Sequence, residues 1–127
     1  MTAPTRVLVA DDEPLIRLLL RHTLERRPGL EIVGEAADGA EALSLIEALQ
    51  PDIVVLDLSM PEPDGLEVTR RLRAARNACG IVVFSSTTGA EPAVLACGAD
   101  RFVDKAAGVE DAVDAVVALS ALRGPGG

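Results

Sequence analysis

The sequence predicts an α/β fold, a single doubly wound, five-stranded parallel sheet with helices on both faces. Short apolar runs rich in Val and Ile alternate five times with longer segments whose apolar residues have helical spacing. The run at 53–56 is apolar throughout, as is typical of a central strand that is buried on both faces. Right-handed crossovers leave few possible topologies, and the strand order 2-1-3-4-5 fits best.

Turn and capping residues delimit the elements. The strands are predicted at about 6–10, 31–35, 52–57, 80–85 and 100–104. Helices are predicted from Pro14 to before Pro28, from Asp38-Gly39 to Gln50-Pro51, from Asp64-Gly65, over a short segment at 91–97, and from Val109. Residues 1–122 are therefore expected to form one domain, and residues 123–127 a flexible tail.

Helical spacing also predicts the residues that face the sheet. On the first helix they are Ile16, Leu19, Leu20 and Thr23, and on the second Leu43, Ile46 and Leu49. On the third they are Leu66, Thr69 and Leu72, and on the fifth Val113, Val116, Val117 and Ser120.

Composition excludes several classes of function. The net charge is −8 and the only aromatic residues are two phenylalanines, so repulsion from phosphates and the lack of stacking platforms argue against direct nucleic-acid binding. No segment has the roughly 18 apolar residues needed to span a bilayer, and no export signal is visible. Cys79 and Cys97 lack ligand spacing and are interpreted as reduced thiols. We therefore expect a cytoplasmic protein.

Polar residues occur where the apolar runs stop. Asp11 and Asp12 follow the first strand, Asp57 the third, Ser85 ends the fourth and Lys105 follows the fifth. The carboxyl ends of parallel strands share one edge of a sheet, so these side chains are expected to meet in one pocket. Three carboxylates, a hydroxyl and an ammonium group together suggest a divalent cation and a phosphoryl group.

The chemistry expected of this pocket follows from the residue types. Mg²⁺ prefers oxygen ligands and retains several waters, so Asp12 and Asp57 are candidates for direct ligands and Asp11 for holding a bound water. An anionic Asp57 can attack phosphorus and become an acyl phosphate. Lys105 and the Ser85 hydroxyl would then hold two equatorial oxygens of a largely loose transition state.

Four segments give the chain its resemblance to the response-regulator receiver domains of bacterial two-component signalling. They are residues 7–14 (VLVADDEP), 57–65 (DLSMPEPDG), 84–86 (FSS) and 98–105 (GADRFVDK). The resemblance implies a flavodoxin-like fold in which Asp57 is the phosphoacceptor. The expected donor is a phosphohistidine on a sensor histidine kinase or phosphotransfer protein.

The resemblance also implies further roles. The main-chain carbonyl of Ser59 would be a further Mg²⁺ ligand, Ser85 the switch hydroxyl and Phe102 the switch aromatic. Phosphorylation would change the surface of helix 4, strand 5 and helix 5, which would bind a downstream protein target. Such a protein is not an enzyme in the usual sense, although it assists its own phosphorylation and dephosphorylation.

Other interpretations of individual residues stay open. Asp11-Asp12 could cap the first helix, and Ser86 blurs which serine ends the fourth strand. His22 is interpreted as a surface residue rather than a phosphorylation site. The arginines of the first helix form either a solvated face or a kinase-docking surface; they are Arg17, Arg21, Arg26 and Arg27.

The chain departs from the family pattern at several positions. Ala106 follows Lys105 where the family usually has a proline that is often cis. A cis bond before a non-proline residue costs about 3–4 kcal/mol, so we predict a trans bond. The interval from Ser85 to Lys105 is short, which predicts a clipped fourth helix. Ser59 and Thr87 occupy positions that influence phosphoryl loss in similar domains, and neither is a carboxylate, so slow self-dephosphorylation is a hypothesis.

Three alternatives to a stand-alone phosphoacceptor differ in the residues or the behaviour that they require. The chain could be the receiver of a DNA-binding transcription regulator rather than a stand-alone protein, since 34–39 (GEAADG) resembles such receivers. A haloacid-dehalogenase-like phosphatase would need a carboxylate where Ser59 stands. A phosphate-independent binding module would bind its partner equally well after Asp57→Asn.

Overall fold

Five parallel strands form one sheet in the order β2-β1-β3-β4-β5, as predicted. The computed structural model describes residues 3–123. The strands are β1 (Thr5–Ala10), β2 (Leu30–Ala36), β3 (Ile53–Leu56), β4 (Gly80–Ser85) and β5 (Arg101–Asp104). The central position of β3 agrees with its continuous apolar run, because all four of its residues are buried.

Five α-helices connect and cover the strands. They are α1 (Pro14–Glu25), α2 (Gly39–Leu49), α3 (Gly65–Ala74), α4 (Glu91–Ala96) and α5 (Val109–Arg123), with a 3₁₀ turn at Lys105–Ala107. Helix α4 has only six residues, which confirms the predicted clipped helix. Helix α5 includes Arg123, one residue beyond the predicted boundary, and the rest of the predicted tail, 124–127, lies outside the described residues.

Two aliphatic layers form the core, one on each face of the sheet. Helices α1 and α5 cover the face that carries Val7, Val9 and Phe84, whereas α2, α3 and α4 cover the face that carries Leu8 and Val83. The alternation of side chains along each strand assigns neighbouring residues to opposite layers. The chain thus fills both layers almost entirely with Val, Leu, Ile and Ala.

The predicted inward stripes are partly wrong. On α1, Leu19 is 41% exposed and the buried position is taken by Leu24, while Leu20 and Thr23 are buried as predicted. On α5, Val117 is 38% exposed, and Ala112 and Leu119 are buried instead, beside Val113 and Val116 as predicted. Both errors have one cause. More than one set of helically spaced apolar residues fits each helix, and the packing angle of the helix against the sheet decides which set is buried.

On α2 and α3 the predicted stripes lie on the correct face. Ile46, Thr69 and Leu72 are buried, and the remaining predicted residues of these two helices are partly buried against the same layer; they are Leu43, Leu49 and Leu66. Small or branched neighbours complete the buried positions; they are Gly39, Ala42, Gly65 and Val68.

Two glycines hold the loop between β3 and α3 against its neighbours. A β-carbon on Gly65 would lie 2.1 Å from the carbonyl oxygen of Asp57, and one on Gly39 would lie 1.6 Å from the carbonyl oxygen of Pro63. Asp38 and Asp64 cap α2 and α3 by accepting hydrogen bonds from the backbone N–H groups of Glu41 and Glu67. The 57–65 loop therefore has little freedom at either end.

Arg73 ties three segments together below the α4–β5 loop. Its guanidinium donates hydrogen bonds to the carbonyl oxygens of Asn77, Cys79 and Gly98 at 2.7, 2.8 and 2.8 Å. It also pairs with the Asp100 carboxylate at 3.1 Å, which in turn accepts the N–H of Ile81. The end of α3 and the start of β4 are thereby joined to the loop that precedes β5.

Several smaller predictions can be compared with the structure. Among the described residues the cis peptide bond is Glu62–Pro63, so the Lys105–Ala106 bond is trans as predicted. His22 is exposed. Cys79 and Cys97 are both free, and burial raises the pKa of the Cys79 thiol. Within residues 3–123, every helix is too short or too polar to traverse a bilayer.

Candidate functional site

Four of the predicted site residues converge at the carboxyl edge of the sheet: Asp11, Asp12, Asp57 and Lys105. The backbone fixes this convergence, because the N–H of Asp57 donates to Ala10 and the N–H of Asp11 donates to Ala36, both at 3.0 Å. These bonds extend the pairing of β1 with β3 and β2 by one residue each. The first polar residue after each strand is therefore held in register with its neighbour.

Lys105 brings the acidic groups together. Its ammonium nitrogen lies 3.0 Å from Oδ2 of Asp11, 3.2 Å from Oδ2 of Asp57 and 2.8 Å from Oε1 of Glu13. Asp11 and Asp57 are almost fully buried, with 2% and 3% of their side chains exposed, whereas Glu13 is 59% exposed. The ammonium group thus bridges two buried carboxylates and one at the rim, where like charges would otherwise repel.

Burial and charge have opposite effects on the ionisation of these groups. Burial raises the pKa of Asp11 above its usual value, and hydrogen bonds from the Glu13 N–H and from Lys105 only partly offset this. Burial by itself would lower the pKa of Lys105. Hydrogen bonds to Glu13 and Asp11, with attraction from Asp57, outweigh burial and raise that pKa. Lys105 is therefore held as a cation.

The carboxylates fit a divalent cation. Asp11, Asp12, Glu13 and Asp57 each offer a carboxylate oxygen, and these four oxygens lie within 4.8 Å of one another. Asp12 and Glu13 are exposed at the mouth of the site, and Asp11 and Asp57 form its floor. A hard, all-oxygen donor set of this kind suits Mg²⁺, which binds through a few carboxylates and keeps waters in its remaining positions.

The capping interpretation of Asp11-Asp12 is not what the structure shows. The N-cap of α1 is Glu13, whose side chain makes no capping hydrogen bond. Asp11 instead accepts a hydrogen bond from the Glu13 N–H through Oδ1 at 2.9 Å. Its other oxygen, Oδ2, contacts the ammonium group of Lys105. Both aspartates are therefore available to the cluster.

The described contact of Ser59 involves its amide rather than its carbonyl group. Its N–H donates to Oδ1 of Asp57 at 3.3 Å, so the two Asp57 oxygens have different partners, Ser59 and Lys105. Ser59 is exposed at the start of the loop. A role for its carbonyl oxygen as a metal ligand stays a prediction.

Ser85, and not Ser86, ends β4 with a buried side chain. Ser85 is 0% exposed, and Ser86 is exposed. The Ser85 hydroxyl donates to Oγ1 of Thr87 at 3.1 Å and accepts the N–H of Thr87 at 3.2 Å. Among the described hydrogen bonds, Thr87 is the sole partner of this hydroxyl, so the predicted switch residue faces the β4–α4 loop.

Phe102 lies half-buried on the edge strand β5. It pairs in register with Val83 and packs against the layer that is covered by α2, α3 and α4. On its other side it borders a shallow groove of about 500 Å³ whose acidic lining residues are Asp104, Asp111 and Asp114. A ring in this position borders both the core and the surface.

A larger groove, of about 680 Å³, opens from the acidic cluster toward α4. Polar residues lie at its mouth, namely Asp12, Ser59, Glu62, Asp64 and Thr87. Its apolar wall is formed by Leu58, Met60, Pro61, Leu66, Ala90, Ala93 and Val94. The N-cap of α4, Ala90, and Ala93 within the helix give this part of the wall short side chains.

Sequence reasoning missed two contacts within the site. Glu13 was read as part of a motif and not as a site residue, although it follows Asp11-Asp12 at the same strand end. Arg17 was assigned to a surface face, yet it donates to the carbonyl oxygen of Asp11 at 2.6 Å. The position of Glu13 next to two aspartates was a usable signal, whereas the reach of Arg17 depends on the angle of α1.

The arginines in and just after α1 are mostly engaged in ion pairs. Arg17 and Arg21 pair with Glu35 on β2, and Arg27, beyond the end of α1, pairs with Glu110 and Asp114 on α5. Exposed leucines follow the same helix on its solvent side: Leu15 is 64%, Leu18 59% and Leu19 41% exposed. The solvent face of α1 is thus more apolar than its sequence of arginines suggested.

Comparison with known proteins identifies the class to which this fold and site belong. The family model of the response regulator receiver domain matches residues 7–117. The chain therefore belongs to the receiver domains of two-component response regulators, and the resemblance read from its motifs is confirmed.

Individual relatives support this assignment. The chain is 36% identical over 115 residues to the nitrate/nitrite response regulator protein NarL of Escherichia coli, covering 89% of this chain and 53% of NarL. It is 44% identical over 107 residues to protein-glutamate methylesterase/protein-glutamine glutaminase 2 of Koribacter versatilis, covering 82% of this chain and 30% of that protein. The chain thus spans about half or less of the length of these relatives.

Solved structures share the fold. A LuxR-family two-component response regulator from Aurantimonas superposes with a TM-score of 0.84 at 38% identity, covering 92% of this chain and 85% of that chain. The isolated receiver domain of RcsB from Salmonella enterica, solved in the presence of the phosphomimetic BeF₃⁻, superposes with a TM-score of 0.84 at 26% identity. That match covers 91% of this chain and 88% of the RcsB chain.

Proposed function

We propose that Asp57 accepts a phosphoryl group from a phosphohistidine on a sensor histidine kinase or phosphotransfer protein. The observation that supports this most directly is the position of the Asp57 carboxylate. It lies at the carboxyl edge of the sheet, within a cluster of acidic groups and 3.2 Å from the ammonium nitrogen of Lys105. A phosphoryl group placed on Asp57 would therefore be beside a fixed cation.

The proposed step transfers one phosphoryl group between two side chains. A carboxylate oxygen of Asp57 donates an electron pair to phosphorus, and the bond between phosphorus and the donor imidazole nitrogen breaks. That nitrogen keeps the bonding electrons, so no proton is needed from Asp57. Lys105, held as a cation by Asp11 and Glu13, would follow the negative charge from the carboxylate to a phosphoryl oxygen.

Mg²⁺ is the cofactor that this proposal implies. Asp11, Asp12 and Asp57 would hold it, with the main-chain carbonyl of Ser59 as a further ligand, and it would supply positive charge near the phosphoryl oxygens. The carboxylates of Asp11 and Asp57 are already held near each other by backbone hydrogen bonds, so binding requires little reorganisation of the floor of the site.

The exposed leucines of α1 are proposed as part of the docking surface for the donor protein. The donor histidine must approach Asp57 past the rim formed by Asp12 and Glu13, and Leu15 lies within one helical turn of that rim. Leu15, Leu18 and Leu19 form one stripe on the solvent face. An exposed stripe of this kind is a candidate protein-binding surface.

The output is proposed to be a change at the surface of α4, β5 and α5. Phosphorylation would draw the Ser85 hydroxyl toward the phosphoryl group, and Phe102 would turn inward. Because NarL and the methylesterase relative are longer than this chain, the target could be either a joined domain or a separate protein. A joined domain and a separate protein would each respond to the same change around Phe102.

The proposal is tested by incubating the chain with Mg²⁺ and acetyl phosphate and measuring its intact mass. The wild type should gain one phosphoryl group and the Asp57→Asn variant should gain none. Asp64→Asn is the matched control, since Asp64 caps α3 and lies outside the acidic cluster, and it should be phosphorylated like the wild type. Equal phosphorylation of the wild type and Asp57→Asn would refute Asp57 as the acceptor.

A further inference from the structure

The contacts of Ser85 and Thr87 lead to an inference about the resting protein. Ser85 lies at the end of β4 and has no solvent exposure, so its hydroxyl proton requires a protein acceptor. Oγ1 of Thr87, 3.1 Å away, is that acceptor, and the Thr87 N–H occupies the Ser85 oxygen at 3.2 Å. Thr87 thus satisfies the Ser85 hydroxyl both as a hydrogen-bond donor and as an acceptor.

We propose that Thr87 is a positioning residue that holds the Ser85 hydroxyl in its resting orientation and so limits how readily Ser85 engages a phosphoryl group. This inference rests on the proposed function, because it assumes that Ser85 turns toward phosphorylated Asp57. Turning in that direction would exchange the bond to Thr87 for one to a phosphoryl oxygen. The side chain of Thr87 therefore affects the equilibrium between the resting and engaged orientations of Ser85 and not the transfer of the phosphoryl group.

The burial of Ser85 makes the loss of its hydrogen-bond acceptor costly. Removing the Thr87 hydroxyl would leave a buried donor without an acceptor, and such a group costs more than the lost hydrogen bond was worth. The cost applies only to the resting orientation, since an engaged Ser85 would donate to the phosphoryl group. Loss of the Thr87 hydroxyl should therefore shift the equilibrium toward the engaged state.

The side chain of Thr87 can be changed with little risk to the fold. Thr87 is exposed and lies in the β4–α4 loop, outside any helix or strand. Thr87→Val keeps the shape and the backbone N–H but removes the hydroxyl, and Thr87→Ser restores it. Thr88→Val is the matched control, because Thr88 is an exposed neighbour in the same loop.

A first measurement follows the ring of Phe102 while BeF₃⁻, a phosphoryl mimic, is added with Mg²⁺. The chain has two phenylalanines and no other aromatic residue, so fluorophenylalanine labelling gives one ¹⁹F signal for Phe102 and one for buried Phe84. At a BeF₃⁻ concentration that converts half of the wild type in the presence of Mg²⁺, the Phe102 signal of Thr87→Val should lie closer to the saturated position than the wild-type signal does. Thr87→Ser and Thr88→Val should match the wild type. A Thr87→Val signal that coincides with the wild type would overturn the inference.

A second measurement is the affinity for BeF₃⁻ in the presence of Mg²⁺. Thr87→Val should bind at least about fivefold more tightly than the wild type, which corresponds to the lower end of the cost of leaving a buried donor without an acceptor in the resting state. In a Ser85→Ala background the same substitution should change nothing, because the group that Thr87 holds is absent. Equal effects with and without Ser85 would show that Thr87 acts through another route and would refute the inference.

Failure of the inference and failure of the proposed function give different results. If the wild type neither binds BeF₃⁻ nor becomes phosphorylated, the proposed function is wrong. If the wild type does both and Thr87→Val behaves like Thr88→Val, the proposed function stands and the role of Thr87 is wrong.

Discussion

The ammonium nitrogen of Lys105 lies 3.2 Å from Oδ2 of Asp57, so the only lysine of the chain contacts the proposed phosphoacceptor directly. The same ammonium group lies within 3.0 Å of Asp11 and Glu13. In the metal-free protein Lys105 is thus the counter-ion of a site that would otherwise contain adjacent carboxylates. Its stabilising role and its proposed role toward a phosphoryl group depend on the same position.

Replacing Lys105 with Met should destabilise the metal-free protein by about 3 kcal/mol, because Asp11 and Asp57 would remain buried without a counter-charge. Urea unfolding in the presence of a chelator measures this loss. Added Mg²⁺ should stabilise Lys105→Met more than it stabilises the wild type, since the ion then replaces the missing cation. Arg26→Met, at an exposed position, is the control and should change little. A Lys105→Met protein as stable as the wild type in chelator would contradict the counter-ion role.

Asp11→Asn should stabilise the metal-free protein near neutral pH. Burial raises the pKa of Asp11, so the folded protein binds the proton more tightly than the unfolded chain does. The resulting stability is present in full below the ordinary pKa of 3.8 and is lost as the pH rises through the raised value. Above that window the ionised group costs stability that the Asn variant does not lose. Unfolding free energies measured in chelator should therefore diverge as the pH rises from 3 to 7, and parallel curves would argue against the idea.

Gly65→Ala should disrupt the loop that carries Asp57. The added carbon would lie 2.1 Å from the carbonyl oxygen of Asp57 and 2.8 Å from Cα of Leu58, and neither backbone atom can move without shifting the loop. We expect a loss of at least about 2 kcal/mol in unfolding free energy. Gly34→Ala is the comparison, because its new carbon meets only leucine methyl groups at 3.1 Å, which can rotate away. If Gly65→Ala costs no more than Gly34→Ala, the close approach is not restrictive.

Arg73→Met should loosen the loop between α4 and β5. The substitution keeps an apolar stem but leaves the carbonyl oxygens of Asn77, Cys79 and Gly98 without their donor, at a cost of about 3 kcal/mol. Hydrogen exchange should become faster at Ile81 and in residues 97–101, while the edge strand β2 should be unaffected. Arg70→Met, on the exposed side of α3, is the matched control. Uniformly faster exchange across the sheet would indicate a global rather than a local effect.

Leu15→Ala combined with Leu18→Ala should slow phosphorylation by a protein donor but not by a small molecule. The test uses a purified histidine kinase that phosphorylates the wild-type chain, and the rate should fall about tenfold if both side chains are buried in the complex. The rate with acetyl phosphate should stay unchanged, because that donor needs no docking surface. Leu122→Ala removes a leucine of similar exposure on α5 and serves as the control. A parallel decrease with both donors would mean that the site, and not docking, was altered.

The sequence by itself determined the fold class, the strand order and the set of strand-end residues. Runs of Val and Ile identify buried parallel strands because of their length and composition, and strand ends in such a sheet share one edge. Asp11, Asp57 and Lys105 could therefore be placed together without any coordinates. Proline, aspartate and glycine signals likewise marked the helix starts at Pro14, Asp38-Gly39 and Asp64-Gly65 to within a residue.

Only the tertiary structure decided which face of each helix is buried and which partners the site residues have. Leu19 and Leu24 are both compatible with an apolar stripe on α1, and the packing angle of α1 against the sheet buries Leu24. The bond between Ser85 and Thr87 depends on loop geometry, and the contact of Glu13 with Lys105 joins residues far apart in the chain. Periodicity records which residues prefer burial, whereas contacts between side chains depend on distances that only the folded chain sets.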